Sequence, residues 1–382
     1  MKLKNIAKLG VIVSVTLFCV AVGAYFFANL YAFNRNKDFN LYNLVPSDAL
    51  CVVESDNINY YFNEFSHLSY ANQIDSLQMG GVANFVLNKI NDYCSDNGHG
   101  LNSKMGHIVI SMHDSLTADN QILYFYTDND NDNIIDRILK DYISLSVSPK
   151  KEKYMDKNIF IYPINNNSFL SVYRGEGYRV VSFQKRLIER VIECQEKNTG
   201  LAQNKDFMGV KNVNKSHNYL TLYNHQPLLG FMDNKDYKWS EFNFNINSDV
   251  IYLTGETSLK GKDSIINVIN TELRSVPDIM QDSVIITTNI DSMRRNISDI
   301  NTKRMKGKST LFDECVAGLS SEASFMMVMD MDKLNENGEL YKPFVLPFIW
   351  EHKKDFKDFI LSSQLSLARD KLIHVIILTY KN

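Results

Sequence analysis

The chain has 382 residues, 45% hydrophobic and 22% charged, which excludes a mostly disordered chain and allows a large core in one domain or two. With 41 Lys and Arg against 44 Asp and Glu the formal net charge is −3. No basic run stands out beyond the extreme N-terminus, so no nucleic-acid partner is expected.

Lys2, Lys4 and Lys8 make 1–8 a basic start, and 9–33 is almost entirely apolar or small, with no charge. At ~1.5 Å rise per residue such a helix crosses a ~30 Å hydrocarbon core. Tyr25, Phe26, Phe27, Tyr31 and Phe33 crowd its distal end, where an aromatic belt would lie. The run is longer than the roughly 7–15-residue core of a cleaved signal peptide. It reads as an uncleaved transmembrane signal anchor, although Val22 and Ala24 would suit a cleavage site. Bulky Phe18 before Cys19 argues against a lipoprotein. The basic flank puts the N-terminus in the cytoplasm. The expectation is a single-pass protein of the bacterial inner (plasma) membrane, its bulk extracytoplasmic.

Residues 34–45 are polar, with four Asn, and read as a linker. A strand-like run, Ala49 to Val53, follows Pro46. Asp56 would cap a helix through Phe65. A second helical stretch runs from Ala71 to Tyr93, where Gly80-Gly81 is a potential break. His107 to Met112 and Ile122 to Tyr126 read as strands, and Ile134 to Ile143 as an amphipathic helix. Strands are expected at Ile159 to Tyr162, Phe169 to Tyr173 and Tyr178 to Ser182, the last two joined by Gly175-Glu176-Gly177. Lys185 to Lys197 is a helix with Leu187, Val191 and Cys194 on one face. Tyr219 to Tyr223 is a strand. Trp239 to Asn245 and Val250 to Thr257 form a hairpin. Ser264 to Leu273 is helical. Phe356 to Leu361 fits a helix or a long strand, and Ile373 to Tyr380 is a final apolar strand docked in a sheet.

An internal echo organises these elements. Pro46-Ser-Asp-Ala-Leu-Cys-Val-Val-Glu-Ser-Asp-Asn and Pro277-Asp-Ile-Met-Gln-Asp-Ser-Val-Ile-Ile-Thr-Thr-Asn both place a proline before a strand, an Asx cap and a helix. Gly106 to Met112 is echoed by Ser324 to Met329. The expected fold class is therefore α+β: two related strand-helix-sheet halves, 46–225 and 226–382, behind the membrane helix.

Val180-Val181-Ser182-Phe183 leading into Leu187-Ile188-Glu189, then Leu201 and Asp206-Phe207, Trp239 and Leu253-Thr254-Gly255, together resemble a domain-of-unknown-function family of membrane-anchored envelope proteins typical of Bacteroidota. The resemblance covers most of 40–382. It implies an extracytoplasmic two-part α+β domain on an anchor. It implies no activity and no catalytic residue.

Candidate chemistry is sparse. Asp128, Asp130 and Asp132 alternate with Asn, and Asp136 follows. Such carboxylates suit Ca²⁺, but an EF-hand-like loop wants Gly at its sixth position and Glu at its twelfth. Asn133 and Leu139 stand there, and a polar turn before a helix explains the run equally. His107 and His113 share one face of a strand, with Ser111 between and Asp114 beside. Six strand residues span about 20 Å, too far to share one metal. No hydrolase, P-loop or dinucleotide motif is present, and no cofactor is expected. Cys51, Cys94, Cys194 and Cys315 match no metal spacing; they are either buried thiols or two disulfides. Phe344, Phe348 and Trp350, flanked by two prolines, are candidates to dock a partner. These features favour a non-catalytic binding or scaffolding module of the cell envelope, with an envelope protein as its expected partner. The alternative is an envelope hydrolase with dispersed catalytic residues.

Overall fold

The computed structural model describes residues 39–56, 68, 81–97, 107–115, 117–127, 134–144, 147–165, 168–211, 220–225, 229, 231–232, 237–259, 268–320, 322–336, 338–351, 353–368 and 371–381. The chain divides into two compact units, Met1–Leu41 and Tyr42–Asn382. The expected basic start (1–8) and membrane span (9–33) lie outside the described residues. Among the described residues no helix is long and apolar enough to cross a membrane. The linker expected over 34–45 ends earlier than its polarity suggested. Tyr42, Leu44 and Val45 are buried, because these apolar side chains are interleaved with the asparagines and pack inward.

Among the described residues, Tyr42–Asn382 is built on one antiparallel sheet of fifteen strands. The first part carries β1 (Cys51–Ser55), α1 (Val82–Asn97), β2 (Ile108–Met112), β3 (Gln121–Tyr126), β4 (Lys150–Tyr154), β5 (Lys157–Asn165), β6 (Ser168–Gly175), β7 (Tyr178–Ser182), α2 (Lys185–Lys197), α3 (Lys205–Val210) and β8 (Leu220–Asn224). The second carries β9 (Tyr237–Ile246), β10 (Val250–Leu259), β11 (Ile279–Gln281), β12 (Val284–Thr287), α4 (Ile290–Met305), α5 (Leu311–Ala317), β13 (Phe325–Asp330), α6 (Met331–Glu336), α7 (Gly338–Tyr341), α8 (Pro347–Glu351), β14 (Phe359–Ala368) and β15 (Lys371–Tyr380). The fold is α+β, as the patterning implied.

Local chemistry explains most boundaries. Helix α1 starts directly after Gly81. Helix α2 ends at Asn198, whose left-handed φ of 50° caps it. Asn289 accepts from the amides of Asp291 and Ser292 to start α4, the Asx cap read from the sequence. The corresponding helix expected after Asp56 lies outside the described residues. A capping box of Thr310 and Asp313 starts α5. Ile138–Ile143 is a π-helical turn rather than plain α-helix, and Val268–Glu272 is another.

The spatial order is β11-β12-β13-β14-β15-β10-β9-β8-β1-β2-β3-β7-β6-β5-β4. Strands β8 and β9 pair directly, so the sheet continues across the boundary expected at 225/226. Two stretches run in the same sense, β11-β12-β13-β14-β15 and β8-β1-β2-β3-β7. In each, the strand after the echoed proline (β12, β1) pairs with the strand its helices lead to (β13, β2).

Directly opposed residues of an antiparallel pair share a face. Following the register, Ile110, Val53, Leu222, Phe242, Gly255, His374, Leu365 and Phe325 lie on one face. Helix α1 packs on that face over Leu123, Val172 and Val181. Helices α4 and α5 pack on the opposite face over Ile285, Met326 and Val328. β12 and β1 are seven places apart in a sheet whose neighbouring strands are all antiparallel, so they run oppositely.

Gly255 sits mid-strand in β10. A Cβ there would lie 2.2 Å from the Glu241 carbonyl oxygen and 2.5 Å from Phe242 Cδ1. Backbone cannot swing aside, so Gly255→Ala is expected to cost about 1–3 kcal/mol. The urea unfolding midpoint reads this, and an unchanged midpoint would contradict the register at that point.

Candidate functional site

The last register pair of β1 and β2 is Ser55 with Ile108. One step further, Asp56 and His107 oppose each other. Glu54, two residues before Asp56, shares their face. These three side chains bring ligand atoms within 4.8 Å of one another. His107 Nδ1 is 2.5 Å from Asp56 Oδ1, and its Nε2 is 3.9 Å from Glu54 Oε1. The His107 ring lies 5.3 Å from the Tyr126 ring.

Glu54 is 4% exposed, so its carboxylate needs partners. Tyr42 and Tyr223 donate their hydroxyls to Oε2 at 2.9 and 3.3 Å. Lys211 Nζ stands 3.6 Å from Oε1 and 3.5 Å above the Tyr42 ring. Burial, and then the Glu54 charge, push both tyrosine hydroxyls well above their ordinary range.

An aromatic wall encloses this carboxylate. Asn204 caps α3 and so places Phe207 in the interior. The Phe207 ring lies 5.0 Å from both Tyr42 and Trp239, and 5.1 Å from Tyr223. His225 stacks on Trp239 at 4.6 Å. Trp239 is fully buried, and its indole N–H has no hydrogen-bond partner among the described residues. Trp239→Phe removes that unsatisfied donor while shrinking the ring. The two effects oppose, and a stability change within about 1 kcal/mol is expected from calorimetry. A loss of the size expected for a satisfied indole, beyond ~2 kcal/mol, would sink this account.

The other end of β2 holds a second constellation. His113 Nε2 is 2.8 Å from Ser111 Oγ, and its Nδ1 is 3.3 Å from Asp48 Oδ1. That is the connectivity of a serine hydrolase relay. The accessibility is wrong for one. Ser111 and His113 are fully buried, and Ser111 Oγ is also 3.0 Å from the buried Tyr124 hydroxyl. Burial pushes His113 down to about 4. Arg190 pairs with both Asp48 and Asp114, and Arg186 with Asp114 at 2.7 Å. A third group, Ser240, Thr257 and His374, is linked at 2.6 and 2.7 Å. His374 is 3% exposed and is pushed down to about 3 by burial. These hydroxyls and imidazoles satisfy one another inside the sheet layers. His107 and His113 stand in separate clusters, as their spacing required.

Asp128, Asp130 and Asp132 lie outside the described residues. Asp136 is engaged by Arg174 at 3.1 Å, and that guanidinium sits 4.2 Å over Phe160. Phe344 and Trp350 are 7% and 9% exposed and belong to the core over β13 and β14. Neither is offered to a partner, because α7 and α8 fold the apolar segment back onto the sheet. The side chain of Phe348 lies outside the described residues. All four cysteines described are free thiols, and burial raises Cys51 to about 12. Sequence reading treated Asp56 as a helix cap and passed over Glu54. Their meeting with His107 depends on the β1–β2 register. It also passed over Lys303-Arg304-Met305-Lys306-Gly307-Lys308, the basic last turn of α4 and the residues after it, where Met305 is 89% exposed.

No family model matches this chain, and no curated relative matches it. Among solved structures, crystal form I of TP0453 is similar at 12% identity, covering 64% of this chain and 89% of that one, with a TM-score of 0.31. Crystal form III of TP0453 is similar at 13% identity, covering 64% and 91%, with a TM-score of 0.32.

Proposed function

We propose that this protein is a membrane-anchored, extracytoplasmic module of the bacterial envelope that acts by binding or scaffolding rather than by catalysis. One observation carries the non-catalytic part. The one relay with hydrolase connectivity among the described residues, Ser111-His113-Asp48, has a serine and a histidine that are fully buried. A nucleophile must touch its substrate, and this oxygen is shared between an imidazole and a tyrosine hydroxyl within the packed layer. The anchored part rests on the uncharged apolar run 9–33 behind three lysines. The likeness to membrane-anchored envelope proteins points the same way.

The test is mild cross-linking of the full-length protein in its native membranes, followed by capture, with residues 1–45 alone as control. Recovery of one envelope protein with the full chain and not with the control supports the reading. Recovery of the protein alone, together with ester or amide hydrolysis that Ser111→Ala abolishes, overturns it.

A further inference from the structure

We infer that Glu54, Asp56 and His107 form a site for one divalent transition-metal cation of the zinc type. The inference stands apart from the binding reading above, and either can fail without the other. Two carboxylates and an imidazole are the mixed oxygen and nitrogen donors that Zn²⁺ takes. Three protein ligands leave the fourth tetrahedral position for water. Ligands at about 2.05 Å from a tetrahedral centre are about 3.3 Å apart. One ligand atom from each residue lies within 4.8 Å of the other two; His107 meets Asp56 through Nδ1 at 2.5 Å and Glu54 through Nε2 at 3.9 Å, and one of these nitrogens serves the ion. Rotation of the exposed Asp56 side chain brings its carboxylate to the nitrogen that serves the ion.

The frame is rigid where a site needs it. The three residues come from two directly paired strands, Asp56 opposite His107 and Glu54 diagonal to it. Glu54 is oriented by Tyr42 and Tyr223 on Oε2, which turns Oε1 toward His107. Hydrogen bonds to the second oxygen of a ligating carboxylate are what metal sites use to fix their ligands. The Tyr126 ring flanks the imidazole. Lys211 Nζ, 3.6 Å from Oε1, competes with a cation for that oxygen.

The experiment uses purified full-length protein, stripped with a chelator and titrated with Zn²⁺ alone by calorimetry. One site per chain is expected. His107→Ala and Asp56→Asn should each weaken binding at least tenfold, while Lys211→Gln should tighten it. Cobalt in place of zinc should give the visible bands of a tetrahedral centre, absent in His107→Ala. Metal-free unfolding curves show that the variants fold; if His107→Ala does not, His107→Gln carries the same reading. Absence of binding and of cobalt bands overturns the inference, leaving the imidazole hydrogen-bonded to Asp56 beside the Glu54 carboxylate. So does binding of equal strength in the His107 variant, which marks an adventitious surface ion. Weaker binding in Lys211→Gln also counts against it.

Discussion

Acidifying the protein from pH 7 to pH 4 is expected to remove roughly 3 kcal/mol of stability through each of His113 and His374. Both imidazoles are buried neutral, held down to about 4 and about 3 against an unfolded value of 6.5. The unfolded chain therefore binds protons more readily than the folded one. The stability they contribute is full above about 6.5. It is lost as pH falls from there through 4 for His113 and on toward 3 for His374. The direction is opposite to that of a histidine stabilised by an ion pair. The Asp114 charge acts the other way on His113, but desolvation outweighs it, and Arg190 engages both Asp114 and Asp48. His374 faces Thr257 and the Phe242 ring. A loss of about 6 kcal/mol is comparable with the whole stability of many domains. Thermal unfolding between pH 7.5 and pH 4 should show the midpoint falling steeply below pH 6.5. The double variant His113→Gln, His374→Gln should lose most of that slope. A slope unchanged in the double variant would assign the acid sensitivity elsewhere.

Glu54→Leu is expected to cost about 3–5 kcal/mol, against 1–2 for Glu54→Gln. Leucine fills the space but accepts no hydrogen bond. The hydroxyls of Tyr42 and Tyr223 lose this acceptor inside an aromatic wall, and the Lys211 ammonium loses its carboxylate. Lys211 can reach water, so the larger part of the cost falls on the two buried hydroxyls. Glutamine keeps an acceptor oxygen and gives up only the charge. Denaturant unfolding of both variants reads the difference. A double-mutant cycle with Tyr42→Phe should show coupling of at least 0.5 kcal/mol, as for groups in direct contact. Equal stability of Glu54→Leu and the parent would mean that the carboxylate is not integral to the packing.

Local pattern carried much of the fold. Period-2 alternation placed β2, β3, β7 and β8 within a residue or two, and the 3.6-residue spacing of Leu187, Val191 and Cys194 placed α2. Both are written in adjacent residues and need no knowledge of the rest of the chain. Strand β4 was missed because Lys150-Lys-Glu-Lys-Tyr alternates nothing apolar. It is an edge strand, whose lysines keep another chain from adding to the sheet. Phe356 to Leu361 was left between helix and strand. Its pairing with β13 and β15 decided for strand β14 from Phe359.

What the sequence determined by itself, then, is the class of the fold, most of its elements and the apolar N-terminal run. What only the tertiary structure decided is which groups meet and which are reached by solvent. Phe344 and Trp350 look alike as core or as docking surface until the sheet beneath them is in place. Ser111 and His113 look like chemistry until the layer closes over them. His107 stands about fifty residues from Glu54 and Asp56 in the chain, and one slip of the β1–β2 register would send it to the opposite face. Burial and cross-strand contact are properties of pairs distant in sequence, so no window along the chain contains them.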